Sequence, residues 1–381
     1  MKIIRAVTVS MSVDFFTGLI PELMAEGHEV VSVSSDGPEL DRVRAAGARA
    51  VTVEMARQIS PFSDLKSLWR LVRVFRREKP DMVHSMTPKA GLLCMTAAWL
   101  ARVPVRVHTF TGLVFPTSTG MKRRILMTTD RLTCAFATHV IPEGEGVKSD
   151  LLNHGITSKP LRVLGHGNCR GIDLDRYNPG DSAVMEAASR LRKPGVFTFV
   201  FIGRIVRDKG MDELAGAFGR LYQKRRDVRL VLVGPYEDSL DPISTGARRV
   251  IDSCPGIEAV GPQDDVRPWL AAADALVFPS YREGFPNVVI EAGAMGLPSI
   301  VTDINGSREI IIDGRNGVII PPRDAEALHG AMESFVGNPG AAAAMGAAAR
   351  PMVASRYEQG YVRRCLKEYY REISSTTSGL R

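Results

Sequence analysis

Two successive series of short β-branched runs, alternating with longer amphipathic segments, constrain the fold of this 381-residue chain more than any other feature. The first half has predicted strands at 2–10, 29–34, 48–53, 81–85, 105–109, 139–142 and 161–164. The second half has them at 196–203, 228–234, 257–261, 275–279, 299–302 and 317–320. Many of these runs are apolar throughout, which is typical of parallel strands covered by helices on both faces. The sequence therefore predicts an α/β chain with two doubly wound domains.

A stretch rich in Gly, Pro and Asp, at 165–195, separates the two series and shows no clear periodicity. We place the first domain at 1–175 and the second at 176–355. Open parallel sheets bind ligands beyond the carboxyl ends of their strands. The loops that follow strands are therefore where we look for a functional site.

Composition argues against several classes of protein. The five cysteines are scattered and form no CxxC pair, which indicates reduced thiols and neither a zinc site nor a disulfide framework. The N-terminal apolar run is short and suits a first strand better than a signal peptide. The longest apolar stretch, 91–101, is too short to span a bilayer. We therefore expect a cytoplasmic protein.

The net charge of +7 lies in the first half, where residues 1–180 hold 24 Lys and Arg against 17 Asp and Glu. Much of the excess is at 66–79 and 122–124, and the first of these stretches has amphipathic helical spacing. Two interpretations stay open. One is a surface helix with a solvated basic face; the other is docking on an anionic membrane surface, where each cation contributes about 1 kcal/mol. No nucleic-acid partner is expected, because no binding motif accompanies the charge.

The loop at 203–210 follows an apolar strand and precedes a helical pattern that begins near Met211. Arg204 and Lys209 would then lie beside a helix N-terminus, whose free N–H groups and dipole attract anions. A bidentate guanidinium and a point-charge ammonium can share the oxygens of a diphosphate. Either cation alone is more often solvated, so the prediction of a phosphate site depends on the pair.

The segment 283–291 follows a predicted buried strand and opens a helix, since Pro286 suits a first helical turn. Gly284 permits close approach of the backbone to a ligand. Glu291 interrupts an otherwise apolar helix, and a buried carboxylate needs hydrogen-bond donors such as sugar or ribose hydroxyls. Glu283 leaves two interpretations open: a ligand-binding carboxylate, or one favoured by the helix dipole.

Together these segments resemble a known family. EGFPNVVIE resembles the E-x7-E signature of family 4 retaining glycosyltransferases, and GRIVRDKG resembles their phosphate-binding loop. The stretches ADALVFPS, EAGAMGLPSIVTD and DGRNGVIIPP follow in the family's order, and LMAEGHEV, KPDMVHSMTPKAG and GHGNCRGIDLDRYNP match in the first half. The likeness is greatest to bacterial capsule, O-antigen and glycan-assembly N-acetylhexosaminyltransferases.

The resemblance implies the GT-B fold, in which two Rossmann-like domains face each other across a cleft. The first would bind the acceptor and the second the nucleotide sugar, with a C-terminal helix at 356–381 crossing back to the first. By the same resemblance, the donor-side residues are Gly203, Arg204, Lys209, Glu283, Gly284, Phe285, Pro286, Asn287 and Glu291. The two cations would bind the diphosphate, the first glutamate the transferred sugar with help from the backbone after it, and the second glutamate the ribose. The nucleobase would lie near 261–266.

The acceptor side departs from the family pattern. Its candidates are Ser12, His108, Thr111, Gly112 and Arg170. Relatives often have paired glycines in the loop after strand one, where this chain has Ser-Met-Ser-Val at 10–13. Relatives also often have His before Gly in the segment matching HTFTG, where Thr111 stands here and His108 is the nearest imidazole. A structural role for His108 and a solvated one for Arg170 stay open.

The implied reaction is front-face substitution with retention of configuration, in which a departing phosphate oxygen accepts the proton of the acceptor hydroxyl. No cofactor and no metal are expected, because no DxD motif stands on a strand end. The expected donor is a UDP-sugar, and the expected acceptor a polyprenyl-diphosphate-linked sugar. That acceptor would place the enzyme peripherally on the inner face of the plasma membrane.

Three alternatives stay open. A nucleotide-sugar 2-epimerase has the same two-domain fold, although its usual carboxylate and histidine placement is not evident here. A dinucleotide oxidoreductase is suggested only by Gly165, Gly167 and Gly171, whose spacing differs from GxGxxG. A non-catalytic sugar-nucleotide-binding module is opposed only indirectly, by the retention of both cations and both glutamates.

Overall fold

The computed structural model describes residues 1–56, 60–239 and 241–378, with side chains to 375. The chain divides into two compact units. The first consists of Met1–Gly171 and Gly360–Arg381, and the second of Ile172–Gln359. Each unit contains one six-stranded parallel sheet. The predicted pair of doubly wound α/β folds is confirmed.

The first sheet has the strand order β3-β2-β1-β4-β5-β6. Its strands are β1 (Lys2–Ala6), β2 (Glu29–Ser34), β3 (Arg49–Thr52), β4 (Met82–Met86), β5 (Val105–Phe110) and β6 (His139–Pro142). Its helices are α1 (Ile20–Ala25), α2 (Leu40–Ala45), α3 (Pro61–Glu78), α4 (Pro88–Leu100), α5 (Gly120–Phe136) and α6 (Glu145–Asn153). Ile3 and Ile4 of β1 are both fully buried and belong to different apolar clusters, because successive side chains point to opposite faces of a sheet covered on both sides.

The second sheet has the order β12-β11-β10-β7-β8-β9. Its strands are β7 (Phe197–Ile202), β8 (Val228–Val233), β9 (Ile257–Gly261), β10 (Ala275–Phe278), β11 (Ser299–Thr302) and β12 (Gly317–Ile320). Its helices are α7 (Ser182–Leu191), α8 (Met211–Lys224), α9 (Thr245–Ser253), α10 (Arg267–Ala272), α11 (Asn287–Ala294), α12 (Ser307–Ile310), α13 (Ala325–Gly337) and α14 (Pro339–Tyr357). The strands run as nearly continuous apolar segments, as the sequence predicts.

The last helix, α15 (Gln359–Ser378), returns to the first unit. Its Tyr370 and Ile373 are buried in the same apolar cluster as Ile3 of β1. Lys367 of α15 donates to Glu22 of α1 over 2.7 Å. The helix therefore covers one face of the first sheet.

One predicted strand is wrong. At 161–164 the structure has only an isolated bridge, between Val140 and Leu161. Pro160 provides no backbone N–H for pairing. Gly165 and Gly167, with φ of +56° and +86°, turn the chain away after four residues. Leu161 and Leu164 of this run pack against the apolar core from a loop.

Candidate active site

The second sheet reverses its strand order between β7 and β10. The chain leaves β7 toward β8 and β9, and leaves β10 toward β11 and β12, so β7 and β10 are neighbours from which the chain diverges. Ligands of open α/β sheets bind at such a switch point, beyond the carboxyl ends of the strands. The two loops that open there are 203–210 and 279–286, which contain most of the predicted donor-side residues.

Gly210 brings these two loops into contact. It has φ of +70° and directly precedes α8. A Cβ atom on this residue would lie 2.1 Å from the carbonyl oxygen of Pro279. The neighbouring backbone is also joined, since the Tyr281 N–H donates to the Asp208 carbonyl over 2.8 Å. Only glycine allows this left-handed turn at this separation.

Lys209 and Glu283, which the sequence predicts as separate ligands of the donor, form an ion pair across this contact. The Lys209 ammonium donates to Glu283 Oε1, and the two side chains are 16% and 17% exposed. Ser280 Oγ donates to the same oxygen over 2.8 Å. The ammonium also lies 5.1 Å from the centre of the Phe278 ring. The pair joins the loop after β7 to the loop after β10.

Arg204 lies at the other side of the β7 loop. Its guanidinium is half-exposed and donates through Nη1 to Glu237 Oε2 over 2.6 Å. Glu237 follows β8, the strand on the far side of β7 from β10. Glu237 is not among the residues predicted from the sequence. The signal in the sequence that could have identified it is an acidic residue in the loop after β8, the strand that follows β7 along the chain.

Two further contacts, which the sequence does not predict, hold the site together. Arg282 Nε donates to Asp208 Oδ2 over 2.9 Å, joining the same two loops through a second ion pair. The Tyr281 hydroxyl donates to Glu213 of α8 over 2.5 Å. Burial, and then this hydrogen bond to a carboxylate, raises the pKa of Tyr281 well above its ordinary value. The hydroxyl therefore stays protonated and remains a donor at neutral pH.

Glu291 is buried in the second turn of α11, at 8% exposure, among Ile290 and Ala292. The helix begins at Asn287, so Pro286 is the residue before the first turn and not within it as predicted. The loop after β11 lies directly against this helix start: a Cβ on Gly306 would be 2.6 Å from the Gly284 carbonyl oxygen. The backbone that leads into α11 is therefore enclosed on one side by protein.

The acceptor-side candidates lie in the first unit. Ser12 is in a short 3₁₀ helix, Ser10–Phe15, and is partly exposed. Thr111 and Gly112 directly follow β5 and are also partly exposed. These residues lie at the carboxyl edge of the first sheet. Arg170 is partly exposed, and its backbone N–H donates to Asn168 Oδ1 over 3.0 Å.

His108 differs from the other acceptor-side candidates because it lies inside the first unit, at 1% exposure. Its Nδ1 is 2.9 Å from Ser85 Oγ, and a Cβ on Gly91 of α4 would be 2.5 Å from the imidazole Cε1. Burial lowers the pKa of His108 to about 3. This position, covered by α4, supports the structural role for His108 and gives no support to acceptor positioning.

Within 1–56, 60–239 and 241–378, no three His, Cys, Asp or Glu residues come together in a way that could hold a metal ion. In the same part of the chain, no helix has the length and apolar character needed to cross a membrane.

Comparison with known proteins identifies the family. Two family models match, "Glycosyl transferase 4-like domain" over residues 14–167 and "Glycosyl transferases group 1" over residues 196–338. The capsular polysaccharide biosynthesis glycosyltransferase CapM of Staphylococcus aureus is 30% identical over 379 residues, which cover 99% of this chain and 99% of that protein. This chain belongs to the family 4 glycosyltransferases. The predicted transferase function is confirmed, and the epimerase alternative is not better supported.

Two further relatives are similar to this glycosyltransferase. The UDP-Gal:alpha-D-GlcNAc-diphosphoundecaprenol alpha-1,3-galactosyltransferase of Escherichia coli is 26% identical over 281 residues, 73% of this chain and 72% of that protein. The crystal structure of Anabaena HepE in complex with UDP and glucose superimposes with a TM-score of 0.80, covering 97% of this chain and 99% of that one. At 17% identity that likeness shows the fold alone, which is GT-B.

Proposed function

We propose that this glycosyltransferase transfers a hexose or N-acetylhexosamine from a UDP-sugar to a hydroxyl of a polyprenyl-diphosphate-linked sugar, during assembly of a surface polysaccharide. The observation that supports a UDP-sugar donor is the Lys209–Glu283 pair at the switch point of the second sheet. The acceptor half is supported by the Escherichia coli relative, whose name describes a diphosphoundecaprenol-linked acceptor.

Lys209 can serve two partners at once. An ammonium has three N–H donors, and one of them goes to Glu283. The remaining donors are available to a diphosphate at the N-terminus of α8. Glu213, in the first turn of that helix, accepts a hydrogen bond from the Tyr281 hydroxyl. The Arg204 and Lys209 cations, the dipole of α8 and the N–H groups at its first turn then all attract the same diphosphate.

The reaction we propose proceeds on one face of the sugar and retains its configuration. The acceptor oxygen forms the new bond to the anomeric carbon on the side from which the UDP oxygen leaves, and the leaving phosphate takes the acceptor's proton. Arg204 and Lys209 stabilise the negative charge that develops on the diphosphate. Glu283 orients the sugar and Glu291 the ribose. These two fixed cations supply the charge stabilisation without a metal.

The surface of the first unit supports docking of the enzyme on an anionic membrane. On α3, three apolar side chains are exposed, Phe62 by 92%, Leu65 by 67% and Trp69 by 59%. They lie beside the basic residues of the same helix, and Arg73 covers the Trp69 ring at 4.4 Å. The sequence predicts a basic amphipathic helix; the structure adds that three of its apolar side chains are exposed, and such side chains insert into the headgroup region of a bilayer.

The position of this surface fits the proposed acceptor. Helices in an open parallel sheet begin at the carboxyl edge of the strands, and the first turns of α3 and α4 are joined there by Lys89 and Asp64 at 2.8 Å. At the start of α5, Met121 is 68% exposed beside the basic residues 122–124. Apolar and basic side chains therefore share the edge that holds Thr111 and Gly112.

Calorimetric titration of UDP in EDTA tests the donor site. Lys209→Ala and Glu291→Ala should each weaken UDP binding about 10- to 100-fold, the effect of a lost charge-assisted hydrogen bond. Lys224→Ala, at the opposite end of α8, is the matched control and should bind as the wild type does. UDP binding that is undetectable, or unchanged in both site variants, would contradict the proposal. Screening UDP-sugars with lipid-linked acceptors, and NMR of the product's anomeric centre, then identify the sugar and test retention.

Sedimentation with vesicles tests the membrane surface. We expect binding to vesicles that contain anionic lipid, weakened by salt and lost in a Phe62→Ser/Trp69→Ser variant, because both apolar area and charge contribute. Met185→Ser, an exposed apolar residue of α7 in the second unit, is the control. Binding that survives high salt and both serine substitutions unchanged would contradict docking through α3.

A further inference from the structure

We infer that Glu237 is a positioning residue for the donor, which sets the orientation of the Arg204 guanidinium. The inference rests on the proposed function, since it assumes that Arg204 contacts the diphosphate. Glu237 Oε2 accepts from Arg204 Nη1 over 2.6 Å, and its side chain is 23% exposed. Ion pairs of this exposure usually contribute little to the free energy of unfolding. We therefore look for the role of this pair in the orientation that it gives the Arg204 guanidinium.

Backbone hydrogen bonds join the loop that contains Glu237 to the loop 203–210. The Gly203 N–H donates to the Val233 carbonyl over 2.9 Å, and the Ile205 N–H donates to the Pro235 carbonyl over 2.8 Å. A Cβ on Gly234 would lie 1.9 Å from the Gly203 carbonyl oxygen, so the two chains touch there. These contacts flank Arg204 on both sides along the chain.

A second set of contacts joins the Glu237 loop to the C-terminal end of the loop 203–210. The Asp208 N–H donates to Asp241 Oδ2 over 2.7 Å, and the Arg207 N–H donates to the Asp241 carbonyl over 3.2 Å. The Asp241 N–H in turn donates to the Glu237 carbonyl over 3.2 Å. The Glu237 backbone is therefore held between two anchors, so its Cα has a fixed position relative to the start of the Arg204 side chain.

A carboxylate on an anchored backbone, bonded to one nitrogen of a guanidinium, favours one orientation of it. Arginine presents five N–H donors in a planar fork, and Glu237 occupies Nη1. Among the described residues, Nε and Nη2 of Arg204 have no hydrogen-bond partner, which leaves one edge of the fork for two phosphate oxygens. Orienting a long side chain before binding lowers the entropy lost when the donor binds.

The negative charge of Glu237 also opposes a diphosphate, and the two effects predict opposite signs. Repulsion acts over a longer distance and is screened, since the Arg204 side chain is 42% exposed. Orientation acts through a direct hydrogen bond and is not screened in the same way. Orientation is therefore the larger effect, and removal of Glu237 weakens donor binding.

A double-mutant cycle on the full chain tests this, with UDP as the probe and calorimetry as the readout. Glu237→Ala should raise the UDP dissociation constant and the donor KM about three- to ten-fold, the effect of one hydrogen bond, while kcat changes less. In an Arg204→Ala background the same substitution should have no further effect. Glu237→Gln, which keeps an acceptor oxygen, should recover part of the loss. Asp238→Ala, the adjacent carboxylate, 3.9 Å from Arg248, is the control.

The outcomes separate this inference from the proposed function. Tighter UDP binding in Glu237→Ala would show that the carboxylate competes with the donor, and would overturn the inference. Equal losses in the wild-type and Arg204→Ala backgrounds would show a general structural role, and would overturn it as well. If Arg204→Ala itself leaves UDP binding unchanged, the proposed donor contact fails first. Melting temperatures of each variant exclude unfolding as the cause.

Discussion

Replacing Gly210 by Ala perturbs the contact on which the candidate active site depends. A non-glycine residue at φ of +70° costs about 1–2 kcal/mol. The added Cβ would lie 2.1 Å from the Pro279 carbonyl oxygen, and real Cβ atoms essentially never approach closer than 3.0 Å. Relieving such an overlap in a packed region costs a further 1–3 kcal/mol or so. We therefore expect Gly210→Ala to destabilise the second unit by about 2–5 kcal/mol.

The control for this substitution lies six residues further along the chain. Gly216 is inside α8, its φ is ordinary, and a Cβ on it would meet nothing within 4 Å. Gly216→Ala should therefore stabilise the protein by about 0.5–1 kcal/mol, because alanine loses less backbone entropy in a helix. The same change of residue is expected to have opposite signs at the two positions.

Thermal denaturation measures the stability difference, and UDP titration measures its effect on the site. Each kcal/mol shifts the melting temperature by about 2–4 °C in a unit of this size. Gly210→Ala should also weaken UDP binding, because Lys209 must move with the displaced loop, whereas Gly216→Ala should bind UDP normally. If the two variants shift the melting temperature in the same direction, the left-handed contact between the two loops is refuted.

Two predictions concern the pH dependence of stability. Hydrogen bonds from Arg49 and then Lys2 lower the pKa of Glu78 to about 2, so Glu78 stabilises the fold above about pH 4.5 and loses this contribution as the pH falls toward 2. Glu78→Gln should cost about 1–3 kcal/mol at pH 7, a range that allows for solvent screening at the half-exposed Arg49, and little at pH 2. Burial lowers the pKa of His108 to about 3. Below about pH 6.5 the unfolded chain therefore binds a proton at this residue and the folded chain does not, so the free energy of unfolding decreases as the pH falls below 6.5. His108→Gln should flatten the dependence between pH 6.5 and 4.5 in urea denaturation, and an unchanged slope would contradict a buried neutral imidazole.

The fold was predictable because its signal is local. Parallel strands buried on both faces appear in the sequence as apolar runs, and runs such as 275–279 need no partner to be recognised. The segment 161–164 shows the limit of this reasoning. It has strand-like residues, but Pro160 has no N–H for pairing and the positive φ of Gly165 and Gly167 turns the chain, so only the bridge from Leu161 to Val140 forms.

The sequence predicts which loop residues come together at the switch point of the second sheet, but it does not predict the contacts between them. Lys209 and Glu283 are 74 positions apart, and their pairing depends on β7 and β10 being neighbours in the sheet. Glu237 was missed for the same reason, because its approach to Arg204 depends on the parallel pairing of β7 with β8. His108 also depends on contacts that are distant in the sequence. Its position near a strand end suggests that a ligand could reach the imidazole, but Gly91 of α4 packs against the ring and covers it.

The two units share one topology but carry different chemistry at the equivalent place. In the first sheet the order reverses between β1 and β4, where the Thr8 and Thr87 hydroxyls lie 2.8 Å apart. Thr87 has φ of +70°, a conformation that costs a β-branched residue about 1–3 kcal/mol and that the surrounding structure must therefore hold in place. The Thr8 hydroxyl accepts from the Ala90 N–H over 3.1 Å and the Thr87 hydroxyl from the Thr8 N–H over 3.2 Å, so the backbone holds both, whereas the second switch point has the Lys209–Glu283 ion pair. The shared topology therefore gives each sheet one switch point at its carboxyl edge, and the side chains paired there are two neutral threonines in the first unit and a lysine and a glutamate in the second.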